Sequence, residues 1–250
     1  MQRAIITGAS SGIGAEMARE LARRGYAVAL LARRADLLQE LAKQLLNAVA
    51  VPCDVTDEAA VMSAVRAGER ALGGPFDVAI ANAGVGVTGY AAKDVSDAER
   101  MMKVNYFGML YLFHAVIPGM IERRSGRFSG IASIAGLRGL PTSAGYSASK
   151  AAMQAFLEAV RVELAPLGIR VTTVNPGFIA TPMTEKNKFR MPFLMKADKA
   201  AGIIIDGIER GARVVEFPWP ISLVMRFARL LPAAVYDRVI GGYARREVRP

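Results

Sequence analysis

The amino-acid sequence predicts a doubly wound α/β fold, in which a parallel sheet of about seven strands carries helices on both faces and a helical extension follows at the C-terminus. Two patterns lead to this prediction. Short apolar runs alternate with longer amphipathic segments, and the apolar runs are continuous, as is typical of parallel strands covered on both faces. The length of 250 residues suits one large α/β domain. We expect one domain over residues 1–215 and a basic amphipathic extension of it over residues 216–250.

The individual elements follow from these runs. The predicted strands are residues 4–7, 27–31, 49–51, 77–80, 127–131 and 170–174. The predicted helices are residues 14–24, 35–46, 58–72, 97–122, 146–167 and 198–209. Thr56-Asp57 and Ser96-Asp97 are start signals for helices, and Gly25 lies where a helix should stop. This alternation implies right-handed βαβ crossovers, and ligands of such sheets bind beyond the carboxyl ends of the strands.

Composition excludes several classes of protein. Hydrophobic residues make up 52% of the chain and charged residues 22%, which excludes disorder as the dominant state. Cys53 is the single cysteine and His114 the single histidine, so we expect no disulfide framework, no metal site and no Ser-His-Asp triad. The chain turns into strand-like sequence at once, and no run approaches ~18 uncharged apolar residues, so we expect a cytoplasmic protein without signal peptide or transmembrane helix. The net charge of +10 favours anionic partners.

A glycine-rich loop over residues 7–14 joins the first predicted strand to the first helix. Its glycines allow a tight turn and a close approach of the backbone to a diphosphate, and the helix N-terminus offers free N–H groups to that anion. A turn that merely joins strand to helix is the alternative. The strand before the loop and the helix after it favour the anion site.

Further motifs follow in a fixed order, and together they resemble those of the short-chain dehydrogenase/reductase family. The loop reads TGxxxGxG, Asn82-Ala83-Gly84 follows the fourth strand, and Pro176-Gly177 with Thr181 follows the sixth. Asn105, Ser133, Tyr146 and Lys150 have the order and spacing of the family's catalytic tetrad. The resemblance covers residues 1–215. It implies a Rossmann-type domain that is both catalytic and cofactor-binding, and an enzyme that transfers a hydride between a nicotinamide and a carbonyl or alcohol.

The resemblance also implies which residues bind the cofactor. These are Gly8, Ser10, Ser11, Gly12, Ile13, Gly14, Arg33, Arg34, Asp54, Val55, Asn82, Ala83, Gly84, Tyr146, Lys150, Pro176, Gly177, Ile179 and Thr181.

The chemistry of the tetrad can be argued from its side chains. Tyr146 and Lys150 are four residues apart on a predicted helix and share a face. The ammonium is expected to lower the pKa of the tyrosine from ~10 toward neutral, so that Tyr146 acts as general acid for a carbonyl or general base for an alcohol. Ser133 would polarise the substrate oxygen. By resemblance, Asn105 holds a water in a proton relay to Lys150, and Lys150 binds the nicotinamide ribose.

The end of the second strand indicates which nicotinamide is bound. Folds of this kind that prefer NAD place an acidic residue there, on the ribose hydroxyls. This chain has Ala32-Arg33-Arg34 and no carboxylate until Asp36. A guanidinium suits a 2′-phosphate, so we expect NADP(H) rather than NAD(H), with Arg33 on the phosphate and Arg34 stacked on the adenine. Two solvated arginines are the alternative. Asp54 and Val55 resemble the family's adenine-contacting pair.

The segment after Pro176-Gly177 is where the family carries its substrate lid, and here it is rich in Met and Phe over residues 178–195. Such side chains give an adaptable apolar lining, which favours a lid over a lipophilic substrate. The alternative is an ordinary surface loop that docks its apolar side on the domain. The predicted substrate contacts are Val85, Leu140, Met183, Phe189 and Phe193.

The C-terminal segment is basic and amphipathic. Residues 210–250 carry eight Arg against three acidic residues, and residues 221–231 and 233–245 are predicted as short helices split at Pro232. Contact of residues 217–245 with an anionic membrane is one interpretation. Packing over the substrate cleft or on a neighbouring subunit is the other. Nucleic-acid binding is not expected, since the basic residues accompany large apolar ones.

Two further expectations concern assembly and class of function. Family members commonly pair through the helices that here carry Asn105 and Tyr146, so we expect a homodimer or homotetramer. A nucleotide-binding regulatory or scaffold protein at the membrane surface, which retains the dehydrogenase fold, is the alternative to an enzyme. The complete tetrad counts against it.

Overall fold

The computed structural model describes residues 1–89, 95–185 and 191–247. The strands are β1 (Arg3–Thr7), β2 (Ala27–Ala32), β3 (Ala48–Pro52), β4 (Val78–Ala81), β5 (Gly126–Ile131), β6 (Ile169–Pro176), β7 (Ile179–Ala180), β8 (Met195–Lys196) and β9 (Val214–Phe217). In the described residues, seven of them form one parallel sheet in the order β3-β2-β1-β4-β5-β6-β9, and β7 pairs with β8 alone. The predicted doubly wound sheet of about seven strands is confirmed.

Helices cover both faces of this sheet. They are α1 (Gly12–Arg23), α2 (Ala35–Gln44), α3 (Glu58–Leu72), α4 (Ser96–Met101), α5 (Gly108–Glu122), α6 (Ala144–Leu164), α7 (Ala197–Arg210), α8 (Trp219–Leu230) and α9 (Ala233–Glu247). The first, second and seventh of these pack on one face, and the third, fifth and sixth on the other.

The core explains why the strands are continuously apolar. Ile6 packs in one apolar cluster with Met17 and Ile204, while its neighbour Ile5 packs in a second cluster with Leu112 and Leu157. Successive side chains of a strand point to opposite faces, and both faces of this sheet are covered. The inner strands β2 and β4 are therefore buried at every position.

One premise behind the expectation of no transmembrane helix is wrong, namely that no uncharged, mostly apolar run approaches ~18 residues. Residues 104–121 contain no Lys, Arg, Asp or Glu, and Ser96–Glu122 is one helical stretch long and apolar enough to cross a membrane. It comprises α4, a π-helical turn at Met102–Phe107 and α5. The stretch packs against α3 and α6 and buries Met109, Leu112 and Met120. It serves here as a core helix.

The C-terminal segment adds β9 to the sheet edge beside β6 and then turns into α8 and α9. The break near Pro232 is where the sequence predicts it, whereas β9 lies outside the predicted strands. Both helices contact the loop after β5. The Arg138 guanidinium donates to the Arg229 carbonyl at 3.3 Å and lies 4.4 Å from the centre of the Tyr236 ring, and the Tyr236 hydroxyl donates to the Gly139 carbonyl. The segment therefore packs, at least in part, on its own domain.

Candidate active site

A cleft of about 330 Å³ opens at the carboxyl ends of the strands. It lies where β1 and β4 are neighbours, at the point where the order of the strands reverses, which is where open α/β sheets bind their ligands. All nineteen predicted cofactor residues line it, and among them are residues of the β1–α1 loop, the end of β2 and the segment after β6.

The glycine loop is locked by contacts that leave no room for side chains. Gly8 has φ of +68°, and a Cβ there would lie 2.7 Å from the Cα of Ala83. A Cβ on Gly14 would collide with the Gly8 carbonyl and lie 2.5 Å from Nδ2 of Asn82. The Thr7 hydroxyl accepts from the N–H groups of Asn82 and Ala83, both at 3.0 Å, and Asn82 Nδ2 donates to the Thr7 carbonyl at 2.9 Å. The Asn82 side chain therefore shapes the loop.

The N-terminus of α1 is open to an anion. In the described residues, no side chain caps it and no acidic residue lies in its first turn. Its free N–H groups and the positive end of its dipole therefore face the cleft without a competing negative charge.

Two arginines flank this loop. Arg34 Nη2 donates to the hydroxyls of Ser10 at 2.8 Å and Ser11 at 2.6 Å, so its guanidinium lies across the entrance of the loop. Arg33 is exposed and also lines the cleft. Its charge contributes to lowering the pKa of Asp54, after the larger effect of hydrogen bonds from Thr56.

The strand end behind the arginines is apolar and closely packed. Val55 packs against the start of α5, where a Cβ on Gly108 would lie 2.9 Å from one of its methyl groups. Burial raises the pKa of the Cys53 thiol to about 11, so the thiol stays protonated and unreactive at neutral pH.

Tyr146, Lys150 and Ser133 meet at the inner end of the cleft. Lys150 is 4% exposed, and its Nζ donates to the Ile131 carbonyl at 2.7 Å and lies 5.7 Å from the centre of the Tyr146 ring. The Ser133 hydroxyl accepts from the Ala135 N–H at 3.1 Å and lies near enough to the Tyr146 phenol to affect its pKa. The first turns of α6 and the end of β5 thus bring the predicted acid, its basic neighbour and the hydroxyl donor together.

The acid–base balance of this site differs from the one expected. Desolvation raises the pKa of Tyr146, and the nearby Ser133 hydroxyl opposes this shift. Desolvation lowers the pKa of Lys150 from 10.5 to about 7. The expectation that Lys150 lowers the pKa of Tyr146 toward neutral is therefore wrong for the nucleotide-free protein. A lysine so deeply buried loses much of its positive charge near neutral pH, so it stabilises the phenolate less.

Asn105 lies behind the cleft rather than in it. It sits in the π-helical turn and is fully buried. Its Oδ1 accepts from the Val85 N–H at 2.8 Å, and its Nδ2 donates to the Val85 carbonyl at 3.0 Å and to the Ser149 hydroxyl at 2.9 Å. The side chain therefore ties the loop after β4 to α6, and thereby fixes the loop beside Lys150.

Comparison with known proteins decides the family. The family model described as short chain dehydrogenase matches residues 2–191. The chain belongs to the short-chain dehydrogenase/reductase family. It is accordingly an oxidoreductase with a Rossmann-type, nucleotide-binding fold.

Individual relatives agree with this assignment. An uncharacterized oxidoreductase of Myxococcus xanthus is 40% identical over 239 residues, which span 94% of each chain. A 3-ketoacyl-(acyl-carrier-protein) reductase from Brucella melitensis, solved with NADH, is 28% identical with a TM-score of 0.80, covering 86% of this chain and 94% of that one. An alcohol dehydrogenase from the archaeon Thermococcus sibiricus, solved with 5-hydroxy-NADP, is 27% identical with a TM-score of 0.78, covering 87% and 95%. Both nicotinamide types occur among these structures.

The substrate side of this short-chain dehydrogenase/reductase departs more from prediction. Val85 and Met183 line the cleft, together with Pro182 and Thr184. Leu140 and Phe193 do not line it. Leu140 is half-buried near α6, where its N–H donates to the Ser147 hydroxyl at 3.3 Å, and Phe193 is 58% exposed. Phe189 lies outside the described residues.

Sequence reasoning missed a polar chain that runs from Ser133 to α8. Gln154 Nε2 donates to the Ser133 carbonyl at 2.7 Å and to Asn175 Oδ1 at 2.9 Å. Asn175 Nδ2 donates to Glu216 at 2.9 Å, and Arg226 Nε pairs with the other oxygen of that carboxylate at 2.7 Å. Gln154 follows Lys150 by one helical turn, so its face could have been predicted. The pairing of Glu216 with Arg226 leaves no signal in the sequence.

Proposed function

We propose that this oxidoreductase is an NADP(H)-dependent carbonyl reductase, which also catalyses the reverse oxidation of a secondary alcohol, and that its substrate is lipophilic. The observation that carries the proposal is the meeting of Tyr146, Ser133 and Lys150 in the same cleft as an open helix N-terminus and a glycine loop.

The chain's own residues fit a nicotinamide dinucleotide. The glycine loop and the N-terminus of α1 suit the diphosphate, because a Cβ at Gly8 or Gly14 would intrude on the cradle. Support for NADP comes from β2, which ends at Ala32 without a carboxylate, and from two guanidinium groups at that end of the cleft. Arg33 and Arg34, with the loop serines that Arg34 holds, would bind a 2′-phosphate.

The bound nicotinamide supplies the hydride in reduction and accepts it in oxidation. Ser133 donates a hydrogen bond to the substrate oxygen, where negative charge develops. Tyr146 transfers its phenolic proton to that oxygen. Because its pKa is raised, the phenol is protonated at neutral pH, the state that reduction requires. Lys150, with a pKa of about 7, can return a proton near neutrality, and Asn105 is a positioning residue for the loop beside it.

A lipophilic substrate is supported by the walls near Tyr146. Its ring lies against Gly86, where a Cβ would be 3.4 Å from two ring carbons and 3.6 Å from the Met183 sulfur. Val85 and Pro182 complete an apolar lining of the kind that binds small apolar ligands.

The test is the initial rate of NADPH oxidation, with NADH in parallel, across ketones and aldehydes graded from short and polar to long-chain, sterol-like and 3-oxoacyl thioester. We expect turnover with NADPH that rises with apolar size. Tyr146→Phe should reduce kcat by about 10²–10⁴-fold and leave NADPH affinity, measured by nucleotide fluorescence, largely intact.

Near-normal turnover in Tyr146→Phe would contradict the mechanism. A preference for NADH would contradict the roles of Arg33 and Arg34 only. NADPH binding without turnover on any carbonyl would favour the alternative, a regulatory or scaffold protein that retains the fold.

We also propose that residues 1–215 form the catalytic domain of a homodimer or homotetramer in the cytoplasm. Exposed apolar side chains on the helices that pair in the family support the assembly: Phe107, Ile121 and Val162. Val162→Glu should lower the molar mass measured by light scattering.

A further inference from the structure

Helix α8 is apolar on two opposite sides. Its inner side is docked: Ser222 is buried, and Ile221 packs at Gly177, where a Cβ would be 3.3 Å from its methyl group. Its outer side carries five large apolar residues that the described chain leaves exposed: Trp219, Leu223, Val224, Phe227 and Leu230. We call these five residues the tail face.

The tail face is a continuous row rather than scattered exposure. Its residues recur at the spacing of helical turns, so they line one side of α8. The row is strongly exposed, from 47% at Leu223 to 78% at Leu230. Single exposed apolar residues are ordinary, whereas a contiguous row marks a surface that binds something. Val235 and Val239, one turn apart on α9, add to the apolar exposure of the same segment.

The charged side chains of α8 itself are both positive, although Arg226 is already paired with Glu216 at 2.7 Å. Residues 219–230 include Arg226 and Arg229 and no Asp or Glu. On a helical projection Arg226 borders the row beside Trp219, and Arg229 lies further round, on the side of Ser222. Residues 210–250 as a whole have eight Arg against three acidic residues, in a chain of net charge +10. An apolar row with a basic border suits a partner that is apolar inside and negatively charged at its surface.

We propose that the tail face binds the surface of an anionic lipid bilayer, with α8 lying in the plane of the headgroups. The apolar row would enter the boundary between headgroups and acyl chains, Arg229 would meet the phosphates, and Trp219 would sit at the interface, where tryptophan is favoured. This inference does not rest on the proposed reductase activity. It also places the membrane beside the cleft, because Gly177, which α8 touches, lines that cleft.

A second copy of the chain fits this surface less well. A symmetric contact of α8 with α8 would bring together two copies of a segment that has eight Arg and three acidic residues, which like-charge repulsion disfavours. Self-association through the tail face is therefore an outcome that the test must detect.

The test is flotation of the full-length protein with two kinds of vesicle. One is pure phosphatidylcholine, and the other contains about one third phosphatidylglycerol. The variants are Phe227→Glu and Leu223→Glu, with Leu46→Glu as matched control, since Leu46 is 82% exposed in the connection between α2 and β3. For charge, Arg229→Gln is compared with Arg66→Gln, an exposed arginine on α3. Melting temperature and NADPH affinity check that each variant is folded.

We expect the wild type to float with the anionic vesicles, less so at high salt, and weakly with phosphatidylcholine alone. Phe227→Glu and Leu223→Glu should each reduce partitioning by about tenfold or more, and Arg229→Gln by about threefold, while both control variants float like the wild type. Absence of flotation by the wild type would overturn the proposal, as would an equal loss in Leu46→Glu. A fall in molar mass of Phe227→Glu without vesicles would also overturn it and assign the tail face to a second copy.

Discussion

The two halves of the cleft are held by different means. In the nucleotide half, formed by residues 8–14, 33–34 and 54–55, backbone geometry sets the shape: glycines pack against neighbouring main chain, and Thr7 and Asn82 tie β1 to β4. In the substrate half, formed around Ser133, Tyr146 and Met183, long side chains and the distant α8 share that task. The shape of the first half therefore depends on the backbone, whereas that of the second depends on side-chain contacts, some of them with a distant helix.

The largest effect on the nucleotide half is expected from the substitution Gly14→Ala. The added methyl would collide with the Gly8 carbonyl and approach Asn82, so the loop must open. We expect the Kd for NADPH to rise by about 100-fold or more, since the diphosphate contacts depend on that loop.

The matched control is Gly202→Ala on α7, where a Cβ meets no atom within 4 Å. There the same substitution should leave the Kd unchanged and stabilise the fold by about 0.5–1 kcal/mol. Titration of intrinsic fluorescence with NADPH and thermal melts measure both. Equal affinity in the two variants would contradict the role given to the loop.

Arg33 and Arg34 allow a test of how the nucleotide half distinguishes NADPH from NADH. In Arg33→Ala and Arg34→Ala combined, we expect KM for NADPH to rise by about 30–100-fold, because two charge-assisted contacts to a 2′-phosphate are lost. KM for NADH should change by less than about twofold, because NADH lacks that phosphate. A parallel loss for both nucleotides would mean that the arginines only shape the loop.

The same contrast explains what could be predicted from the sequence. Gly8, Gly14 and Asn82 act through the backbone of elements that follow directly from the apolar runs, so their places were predictable. Leu140 and Phe193 lie in loops whose course depends on tertiary packing, and neither reaches the cleft.

The pKa values and ion pairs of the site could not be predicted from the sequence either. The charge of Lys150 could be assigned from the sequence, but its burial could not, and burial sets its pKa. The ion pair between Glu216 and Arg226 likewise depends on how α8 docks, which no local pattern encodes.

Lys150 provides a test through stability against pH. Its folded pKa of about 7 lies below the ordinary value of 10.5. Below pH 7 the lysine is protonated in both states, and the folded protein bears the full cost of burying the charge. Between these two values only the unfolded state keeps the proton, so stability rises with pH as this cost is relieved.

We therefore expect Lys150→Met to stabilise the nucleotide-free protein by about 1–3 kcal/mol at pH 6.5, and by much less near pH 10. Urea unfolding at the two pH values measures the difference. Turnover should be lost in the same variant. A gain in stability together with a loss of turnover would show that the lysine is needed for catalysis although its burial destabilises the fold. An unchanged gain at both pH values would show that burial of charge is not the cause.

The smallest expected effect concerns the coupling of the substrate half to α8. In Arg226→Ala the Glu216 side chain, 9% exposed, loses its guanidinium and keeps only the Asn175 amide, which should cost about 1–2 kcal/mol of stability. If the polar chain through Gln154 positions Ser133, KM for the carbonyl substrate should rise by a few-fold, while KM for NADPH stays constant, because no member of that chain contacts the glycine loop. Arg229→Ala on the same helix is the control, as its side chain takes no part in the chain to Ser133. Equal changes in both KM values would show that α8 supports the whole fold rather than the substrate half. That result would contradict the claim that the two halves of the cleft are held by different contacts.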